Sequence, residues 1–268
     1  MRAITLGPSG TYSHRAARAV AEEIEFAESV TGIVEHVANE EIERGVIPIE
    51  NSIEGSVTES IDALAEYEVT VVAEVVTPIR HALLAQEPEF EVVASHAQAL
   101  AQCRTYLESN YPDAVLEPVS STARGVEQAR NDPTVAAIAR PDNSGEQLDV
   151  VAEDIQDRSS NATRFVVVAP PDERSIAGGK TSVIIYPDAD HPGLLLELLE
   201  PFADRDINLS RIESRPSGDR LGDYLFHLDI NAGLYEERTQ QALAEVESVV
   251  QSGWVRRLGS YDTKHVLE

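Results

Sequence analysis

The sequence has a single cysteine, Cys103. One cysteine excludes a disulfide framework within the chain and excludes zinc or iron-sulfur sites built from several cysteines. We expect Cys103 to be a small buried thiol. The seven histidines form no His-x-x-x-His or comparable ligand pair, so the sequence predicts no metal site.

Lysine is almost missing, since Lys180 and Lys264 are the only two. The chain has 47 acidic residues against 21 basic ones and a formal net charge of -26. A surface this acidic repels nucleic acid and anionic membranes, so we expect neither as a partner. Like charges at this density repel one another in dilute buffer, whereas molar salt shortens the Debye length to about 3 Å and removes most of that repulsion. We therefore predict a salt-adapted protein from a halophile.

Long apolar runs are also missing. No stretch approaches the roughly 20 apolar residues of a membrane-spanning helix, and the N-terminal apolar run ends at Gly7, too early for a signal peptide. We therefore expect a cytoplasmic protein. With 42% hydrophobic residues among 268, the chain can bury ordinary cores in two or three domains.

Predicted strands and helices alternate over the first three-fifths of the chain. Short apolar runs predict strands at 3–6, 46–49, 69–76, 91–94, 115–119, 135–139, 150–152 and 165–168. Helical periodicity predicts helices at 13–23, 32–39, 56–66, 97–109 and 122–130. This order predicts parallel sheets flanked by helices.

A segment without apolar periodicity follows at 169–179, where two prolines and two glycines predict a linker. Beyond it the pattern predicts strands at 181–186, 208–213, 224–230 and 254–258, with helices at 192–205 and 235–252. Asp190 and Pro192 suit the cap and first turn of the first of these helices. The order βαββαβ is the ferredoxin-like plan.

Polar side chains interrupt the stretch "VIPIENSIEGSV", where Glu50, Asn51 and Ser52 follow a short apolar strand. Ser56 and Glu59 have the spacing of a capping box, which predicts a helix start there. The three polar residues thus lie at the carboxyl end of a strand, where open α/β sheets usually bind ligands.

Three further polar clusters lie at junctions between predicted strands and helices or at a strand start: Ser9, Thr11 and Ser13 in a glycine-rich turn, Ser121 and Thr122 before a helix, and Asn161, Thr163 and Arg164 at the start of a strand. Helix N-termini with Ser and Thr hydroxyls bind anions, and an arginine adds a carboxylate-binding fork. Taken singly, the hydroxyl residues also suit simple caps and turns. Together the clusters predict a small anionic ligand.

Common cofactor and hydrolase motifs are missing. The Gly7-x-x-Gly10 turn lacks the remaining glycines of a dinucleotide fingerprint and the Lys-Ser/Thr of a Walker motif. No Gly-x-Ser-x-Gly elbow is present, which disfavours a Ser-His-Asp hydrolase. We therefore predict no cofactor.

In this order the clusters resemble the prephenate dehydratase family of phenylalanine biosynthesis. The matching segments are "GPSGTYSHRAA", "VIPIENSIEGSV", "SHAQALAQC", "SSTARG", "AEDIQD", "SNATRF" and "NLSRIESRP". The resemblance implies an α/β fold with a two-lobed catalytic region like the type 2 periplasmic-binding proteins, whose active site lies between the lobes. A ferredoxin-like ACT regulatory domain follows.

Domain bounds follow from placing these segments on the predicted elements. The catalytic domain is expected at 1–172, with lobe one at 1–76 plus 159–170 and lobe two at 77–158. A linker at 173–179 and an ACT domain at 180–268 complete the chain. Since no chorismate mutase module precedes Met1, we expect the monofunctional form.

The resemblance also implies roles for individual residues. Thr163 is similar to the family's catalytic threonine, and Arg164 and Glu50 are expected beside it as catalytic residues. The substrate-binding residues implied are Ser9, Thr11, Ser13, Asn51, Ser52, Ser121, Thr122 and Asn161. Phenylalanine, the feedback inhibitor, is expected at Gly193, Leu194 and Leu195, which replace the family's Gly-Ala-Leu, and at Asn208, Leu209, Glu213, Ser214, Arg215 and Pro216.

The implied reaction removes carbon dioxide and water from prephenate to give phenylpyruvate, and it needs no metal or redox cofactor. We expect Thr163 to stabilise the leaving oxygen by hydrogen bonding. Two alternatives stay open at this point: an arogenate dehydratase, and a non-catalytic sensor of small anions or amino acids. A homodimer or homotetramer is expected, because small βαββαβ units tend to bury their sheet edges and apolar faces between chains.

Overall fold

The computed structural model describes residues 1–52, 55–145, 147–158, 160–217, 223–250 and 252–266. The chain divides into two compact units, one formed by Met1–Thr77 together with Thr163–Glu268 and the other by Pro78–Ala162. The strands are β1 Arg2–Leu6, β2 Glu23–Ala27, β3 Arg44–Asn51, β4 Gly55–Ser56, β5 Thr70–Pro78, β6 Ala82–Ala85, β7 Val92–His96, β8 Val115–Val119, β9 Val135–Ala139, β10 Asp149–Ala152, β11 Ala162–Ala169, β12 Lys180–Tyr186, β13 Leu209–Pro216, β14 Tyr224–Ile230, β15 Trp254–Tyr261 and β16 Thr263–His265. The helices are α1 Tyr12–Arg18, α2 Val30–Ala38, α3 Thr58–Glu66, α4 Ala97–Gln102, α5 Arg104–Asn110, α6 Thr122–Asn131, α7 Leu194–Ala203 and α8 Glu237–Val250, with single 3-10 turns at Pro141–Asn143 and Pro171–Glu173.

The first unit contains a seven-stranded mixed sheet in the order β16-β5-β11-β3-β1-β2, with β4 paired to β3. Strand β1 runs parallel to β2 and β3, but β11 runs antiparallel to β3. The prediction of parallel sheets is therefore correct for β1, β2 and β3 but wrong for β11. Its physical reason is that β11 returns late in the chain to fill the centre of the sheet, instead of following a helical crossover from β3.

A second sheet belongs to the same unit and has the order β13-β14-β12-β15. Its neighbouring strands all pair antiparallel. Helices α7 and α8 cover it through an apolar core that includes Leu198, Phe202 and Leu243. The ferredoxin-like βαββαβ plan predicted for the C-terminal part is confirmed.

The two sheets of the first unit share a core. Ile47, Ile49 and Leu64 from the N-terminal part cluster with Leu258 and Tyr261 from β15. Strand β16 then pairs parallel with β5, so the end of the chain extends the sheet of the N-terminal part. Apolar burial and backbone pairing thus hold the C-terminal sheet against the strands that carry "ENS" and "TRF".

The second unit has a five-stranded sheet in the order β10-β6-β9-β7-β8. Strand β7 is parallel to β8 and β9, whereas β6 is antiparallel to β9 and β10. Cys103 lies fully buried in its core, and burial followed by the nearby Asp157 carboxylate raises the pKa of its thiol to about 12. The expectation of a buried thiol is confirmed.

Several predicted boundaries differ from the structure. The helix predicted at 13–23 ends at Arg18, and Glu23–Ala27 is a strand instead. The helix predicted at 97–109 is divided by Cys103. The last helix, predicted at 235–252, spans Glu237–Val250, while residue 251 lies outside the described residues.

Two predicted helix caps are also wrong. Helix α3 begins after Val57, because the Ser56 hydroxyl donates to Glu213 at 2.5 Å instead of capping the helix. Helix α7 begins after Gly193, whose φ of +97° is a left-handed conformation that glycine adopts without strain. Asp190 and Pro192 therefore precede the cap instead of forming it.

Candidate active site and its ion network

Thr163 and Asn51 form the central pair of the predicted site. Antiparallel pairing of β11 with β3 sets Thr163 opposite Asn51 and Arg164 opposite Glu50. The Asn51 amide Nδ2 donates to Thr163 Oγ1 at 3.2 Å. Thr163 is buried, and this hydrogen bond joins the sequence motifs "ENS" and "TRF".

Arg164 is bound by carboxylates of the protein itself. Its Nε donates to Glu74 on β5, and its Nη1 donates to Asp229 on β14 at 2.5 Å. Nη2 donates to the Tyr261 hydroxyl at 3.3 Å. Burial disfavours the guanidinium, but Asp229, Tyr261 and Glu74 hold its pKa above the usual value.

The expectation of a free arginine fork for a substrate carboxylate is therefore corrected. The strand alternates its side chains between faces, so Arg164 lies on the opposite face from its neighbour Thr163. That face is covered by the C-terminal sheet, and Asp229 there is fully buried. A buried guanidinium needs anionic partners, and Glu74 and Asp229 supply them.

Glu74 is a central residue of this network, and sequence reasoning missed it. Its side chain is only 4% exposed and accepts from Arg164, from Lys180 Nζ at 2.8 Å and from Thr263 Oγ1 at 2.8 Å. Burial would raise the pKa of this carboxyl, but Arg164 and Lys180 hold it below the usual range. A glutamate inside the apolar run "TVVAEVVTP" was the available signal, since a buried charge requires partners.

Glu50 lies between two guanidinium groups. Its Oε2 is 3.6 Å from Arg164 Nη1 and 3.6 Å from Arg211 Nε, and its side chain is 39% exposed. Arg211, on β13, also donates to Ser56 Oγ at 2.6 Å and to the Nδ1 of His227. Sequence reasoning assigned no role to Arg211 or His227.

His227 is a neutral acceptor in this arrangement. Burial first, and then the nearby Arg211, Arg164 and Lys180, lower its pKa to about 4 in spite of the Asp229 carboxylate. Burial opposes the charged form of Asp229 as well, yet His227, which is protonated at the low pH where Asp229 titrates, and Arg164 hold the Asp229 pKa well below its usual range.

The glycine-rich turn places its hydroxyls at the start of α1. Thr11 is the cap: its Oγ1 accepts from the His14 N-H at 3.2 Å and donates to the Pro8 carbonyl at 3.0 Å. Ser9 is exposed, with Oγ 3.3 Å from His14 Nδ1. Ser13 is half-buried in the first turn. These three residues and the Thr163 strand belong to the same compact unit, whereas Ser52 follows Asn51 in an exposed turn.

Three of the predicted substrate residues belong to the other compact unit. Ser121 caps α6 by accepting from the Arg124 N-H at 3.1 Å, and Thr122 opens that helix. Asn161 is buried, and its Nδ2 donates to Gln102 Oε1 at 3.0 Å, which lies 2.7 Å from His81 Nε2.

The residues expected to bind phenylalanine lie on two elements of the C-terminal sheet and helix layer. Gly193 caps α7, where Leu194 is buried and Leu195 exposed. Asn208 directly precedes β13, and that strand carries the others expected: Leu209, Glu213, Ser214, Arg215 and Pro216. Arg215 donates two hydrogen bonds to Asp62 of α3.

Within the described part of the chain, no group of three or more His, Cys, Asp or Glu side chains has the arrangement of a metal site. No helix found there is both long and apolar enough to cross a membrane.

Taken together, the structure defines an α/β protein with a polar Asn-Thr pair on adjacent strands and a ferredoxin-like domain packed behind it. A model of the prephenate dehydratase family matches residues 3–173, and an ACT domain model matches residues 189–248. The chain belongs to the prephenate dehydratase family.

Individual relatives agree with this assignment. The prephenate dehydratase of Methanocaldococcus jannaschii is 34% identical over 95% of this chain and 95% of its own length. The bifunctional chorismate mutase/prephenate dehydratase of Aquifex aeolicus is 36% identical, over 96% of this chain and 72% of the relative. The crystal structure of prephenate dehydratase in complex with L-Phe from Arthrobacter aurescens superimposes with a TM-score of 0.85 at 35% identity, covering 98% of this chain and 90% of that one.

Proposed function

We propose that the chain converts prephenate to phenylpyruvate, carbon dioxide and water. The observation that supports this most directly is the Asn51–Thr163 hydrogen bond, which joins the "ENS" and "TRF" motifs within a chain of this family.

The reaction balances without a cofactor. The bond from the ring to its carboxylate breaks, and its electron pair enters the ring as carbon dioxide departs. The bond from the ring to its hydroxyl breaks at the opposite carbon, and the leaving oxygen takes up one proton to form water. Aromatisation of the ring drives the reaction, so the protein needs to orient the dianion and stabilise the departing oxygen.

In this proposal Thr163 is the hydrogen-bond donor to the leaving oxygen. Because Asn51 donates to Thr163 Oγ1, the hydroxyl proton of Thr163 can be directed at the substrate. A positioned donor of this kind contributes about 10² to 10⁴ in rate.

Arg164 then supports the strand instead of holding a substrate carboxylate, since Glu74 and Asp229 engage its guanidinium. Substrate carboxylates are assigned to helix N-termini, hydroxyls and side-chain amides, which bind anions without a cation. The residues concerned are Ser9, Thr11, Ser13, Asn51, Ser52, Ser121, Thr122 and Asn161, with Glu50 kept as a further catalytic candidate.

Phenylalanine is proposed as the feedback inhibitor at the C-terminal domain. Support comes from the ACT match and from the L-Phe complex of the Arthrobacter aurescens relative.

We also propose a homodimer or homotetramer. Strand β13 is at the edge of its sheet and carries the exposed Ile212, and such edges are commonly covered by pairing. The cytoplasmic location stays a prediction.

The test is a side-by-side assay of prephenate and arogenate, read out as phenylpyruvate and phenylalanine formation, with calorimetry for binding. We expect prephenate turnover with a higher kcat/KM than arogenate. A higher value for arogenate would make the chain an arogenate dehydratase, and binding without turnover of either would make it a sensor.

A further inference from the structure

Arg211 reaches from the C-terminal sheet to the strands beside Thr163. Its side chain is 6% exposed and donates to Ser56 Oγ at 2.6 Å. On its own sheet it donates to His227 Nδ1. Burying a guanidinium raises the free energy of the folded state unless the group has hydrogen-bond partners. Since Arg211 has partners on both sheets, its position depends on both.

Both of its partners in the N-terminal part lie on one hairpin. Strand β4 pairs with β3 so that Ser56 is opposite Glu50 and Gly55 is opposite Asn51. Arg211 contacts Ser56 directly and lies 3.6 Å from Glu50. The next residue, Asn51, is the one that donates to Thr163. Arg211 therefore contacts the residue that directly precedes Asn51 of the Asn51–Thr163 pair.

The ion pair with Glu50 is shared. Arg164 Nη1 lies at the same 3.6 Å from Glu50 Oε2, so neither guanidinium makes a short hydrogen bond to this carboxylate. Ser56 in turn donates to Glu213, a residue of the effector motif on the same strand as Arg211. A shift of β13 would change the Ser56 and Glu50 contacts together.

We propose that Arg211 is the positioning residue through which phenylalanine at the C-terminal domain alters the Asn51–Thr163 pair. The inference rests on the proposed function. Expected effector residues lie on both sides of Arg211 along β13, namely Leu209 and Glu213. Inhibition requires that phenylalanine bind two states unequally, and the two states here differ in how Arg211 contacts Ser56 and Glu50.

The chain offers a matched control on the same strand. Arg215 of β13 also forms an ion pair with the N-terminal part, but its partner Asp62 lies on α3 and not on the β3–β4 hairpin. Asp62→Asn removes a link between the same two parts of the molecule while leaving Arg211, Ser56 and Glu50 in place. This variant therefore distinguishes a general weakening of the contact between the two parts from an effect transmitted through Arg211.

The experiment compares wild type, Arg211→Gln, Arg211→Lys, Ser56→Ala and Asp62→Asn. Prephenate turnover is measured without and with phenylalanine, phenylalanine binding is measured by calorimetry, and circular dichroism checks folding. We expect Arg211→Gln and Ser56→Ala to bind phenylalanine within about threefold of wild type but to need at least about fivefold more of it for half-inhibition, within the usual range of allosteric coupling. Arg211→Lys should fall between. Because Arg215, the partner of Asp62, is itself an expected phenylalanine-binding residue, Asp62→Asn is judged by the ratio of the half-inhibiting concentration to the calorimetric Kd, and this ratio should match wild type.

Inhibition that stays at the wild-type level in Arg211→Gln and Ser56→Ala would overturn the inference. So would a parallel loss of phenylalanine binding, which would make Arg211 part of the ligand site, or an equal rise in Asp62→Asn of the ratio of the half-inhibiting concentration to the calorimetric Kd. If Arg211→Gln fails to fold, Ser56→Ala decides by the same criteria. A wild type that does not turn over prephenate contradicts the proposed function itself, and this is visible before any variant is compared.

Discussion

Buried charges are the main feature of the molecule at the scale of single residues. Arg164 is held by Glu74 and Asp229, and each of these carboxylates has further donors, Lys180 for Glu74 and Ser182 for Asp229. Removing one member leaves an unpaired charge in a region from which water is largely excluded. Breaking one buried ion pair is costly, whereas the intact pair adds little net stability. The network therefore holds the strand of Thr163 in place mainly because a displacement of the strand would break an ion pair.

His227 gives a prediction for the dependence of stability on pH. Its pKa of about 4 in the folded state lies below the ordinary value of 6.5, so the unfolded chain binds more protons between these values. Stability should therefore fall as the pH falls from about 6.5 to 4, by about 3 kcal/mol from this residue. Urea unfolding of wild type and His227→Asn measures it.

Asparagine keeps an acceptor for Arg211 but does not titrate. The loss of stability over that pH interval should accordingly be smaller in His227→Asn than in wild type. Asp229 contributes in a different interval: its carboxyl has a lowered pKa, so its share is lost below about pH 3.8. Equal pH slopes for the two proteins between 6.5 and 4 would contradict the assignment of a neutral His227.

Helices and strands show which parts of the fold were predictable. The βαββαβ order and the strands at 115–119 and 135–139 followed from apolar period and turn residues. Strand β2 was missed because "EIEFA" is an edge strand of five residues with no buried side chain, too polar to stand out as an apolar run. Strand β16 was missed because a three-residue strand carries no periodicity.

The candidate site also has residues that the sequence predicts and contacts that it does not. Asn51 and Thr163 were predictable because motifs identify them, whereas their hydrogen bond joins residues 112 positions apart. The partners of Arg164 could not be predicted, since Glu74 and Asp229 lie 90 and 65 positions away on strands whose packing no local pattern encodes. The capping box at Ser56 failed for the same reason, because a distant glutamate claims the hydroxyl.

The contact of β15 with β5 gives a prediction at this scale. Gly259 has a φ of +149°, and a Cβ there would lie 2.3 Å from the Val71 carbonyl oxygen. Gly259→Ala should therefore destabilise by about 3 kcal/mol or more, because backbone of both strands must move apart. Thermal unfolding measures the effect.

Gly10→Ala is the matched control. Gly10 also has a positive φ, +87°, but no described heavy atom lies within 4 Å of the added Cβ. Only the conformational cost of about 1 kcal/mol remains there. Similar losses in the two variants would show that β15 and β5 do not approach as closely as described.

The charge of the whole molecule leads to a prediction about salt. Forty-seven acidic against 21 basic residues give a net charge of -26, and repulsion among them is screened as the Debye length falls from about 10 Å at 0.1 M salt to about 3 Å at 1 M. The Tm and the turnover rate should both rise with potassium chloride toward the molar range. Sucrose at matched osmolality is the control, and a maximum of activity near zero salt would refute salt adaptation.

The central claim is that this chain is a dehydratase in which Thr163 assists the departing oxygen. The most direct test is prephenate turnover in about 1 M potassium chloride by wild type, Thr163→Ala and Thr163→Ser, with circular dichroism on all three. Serine keeps the hydroxyl that Asn51 orients, so it is the matched control. We predict phenylpyruvate from the wild type, a loss of about 10² or more in kcat for the folded alanine variant, and substantial recovery with serine. A folded alanine variant with wild-type kcat would contradict the role of Thr163, and a folded wild type that forms no phenylpyruvate would contradict the claim as a whole.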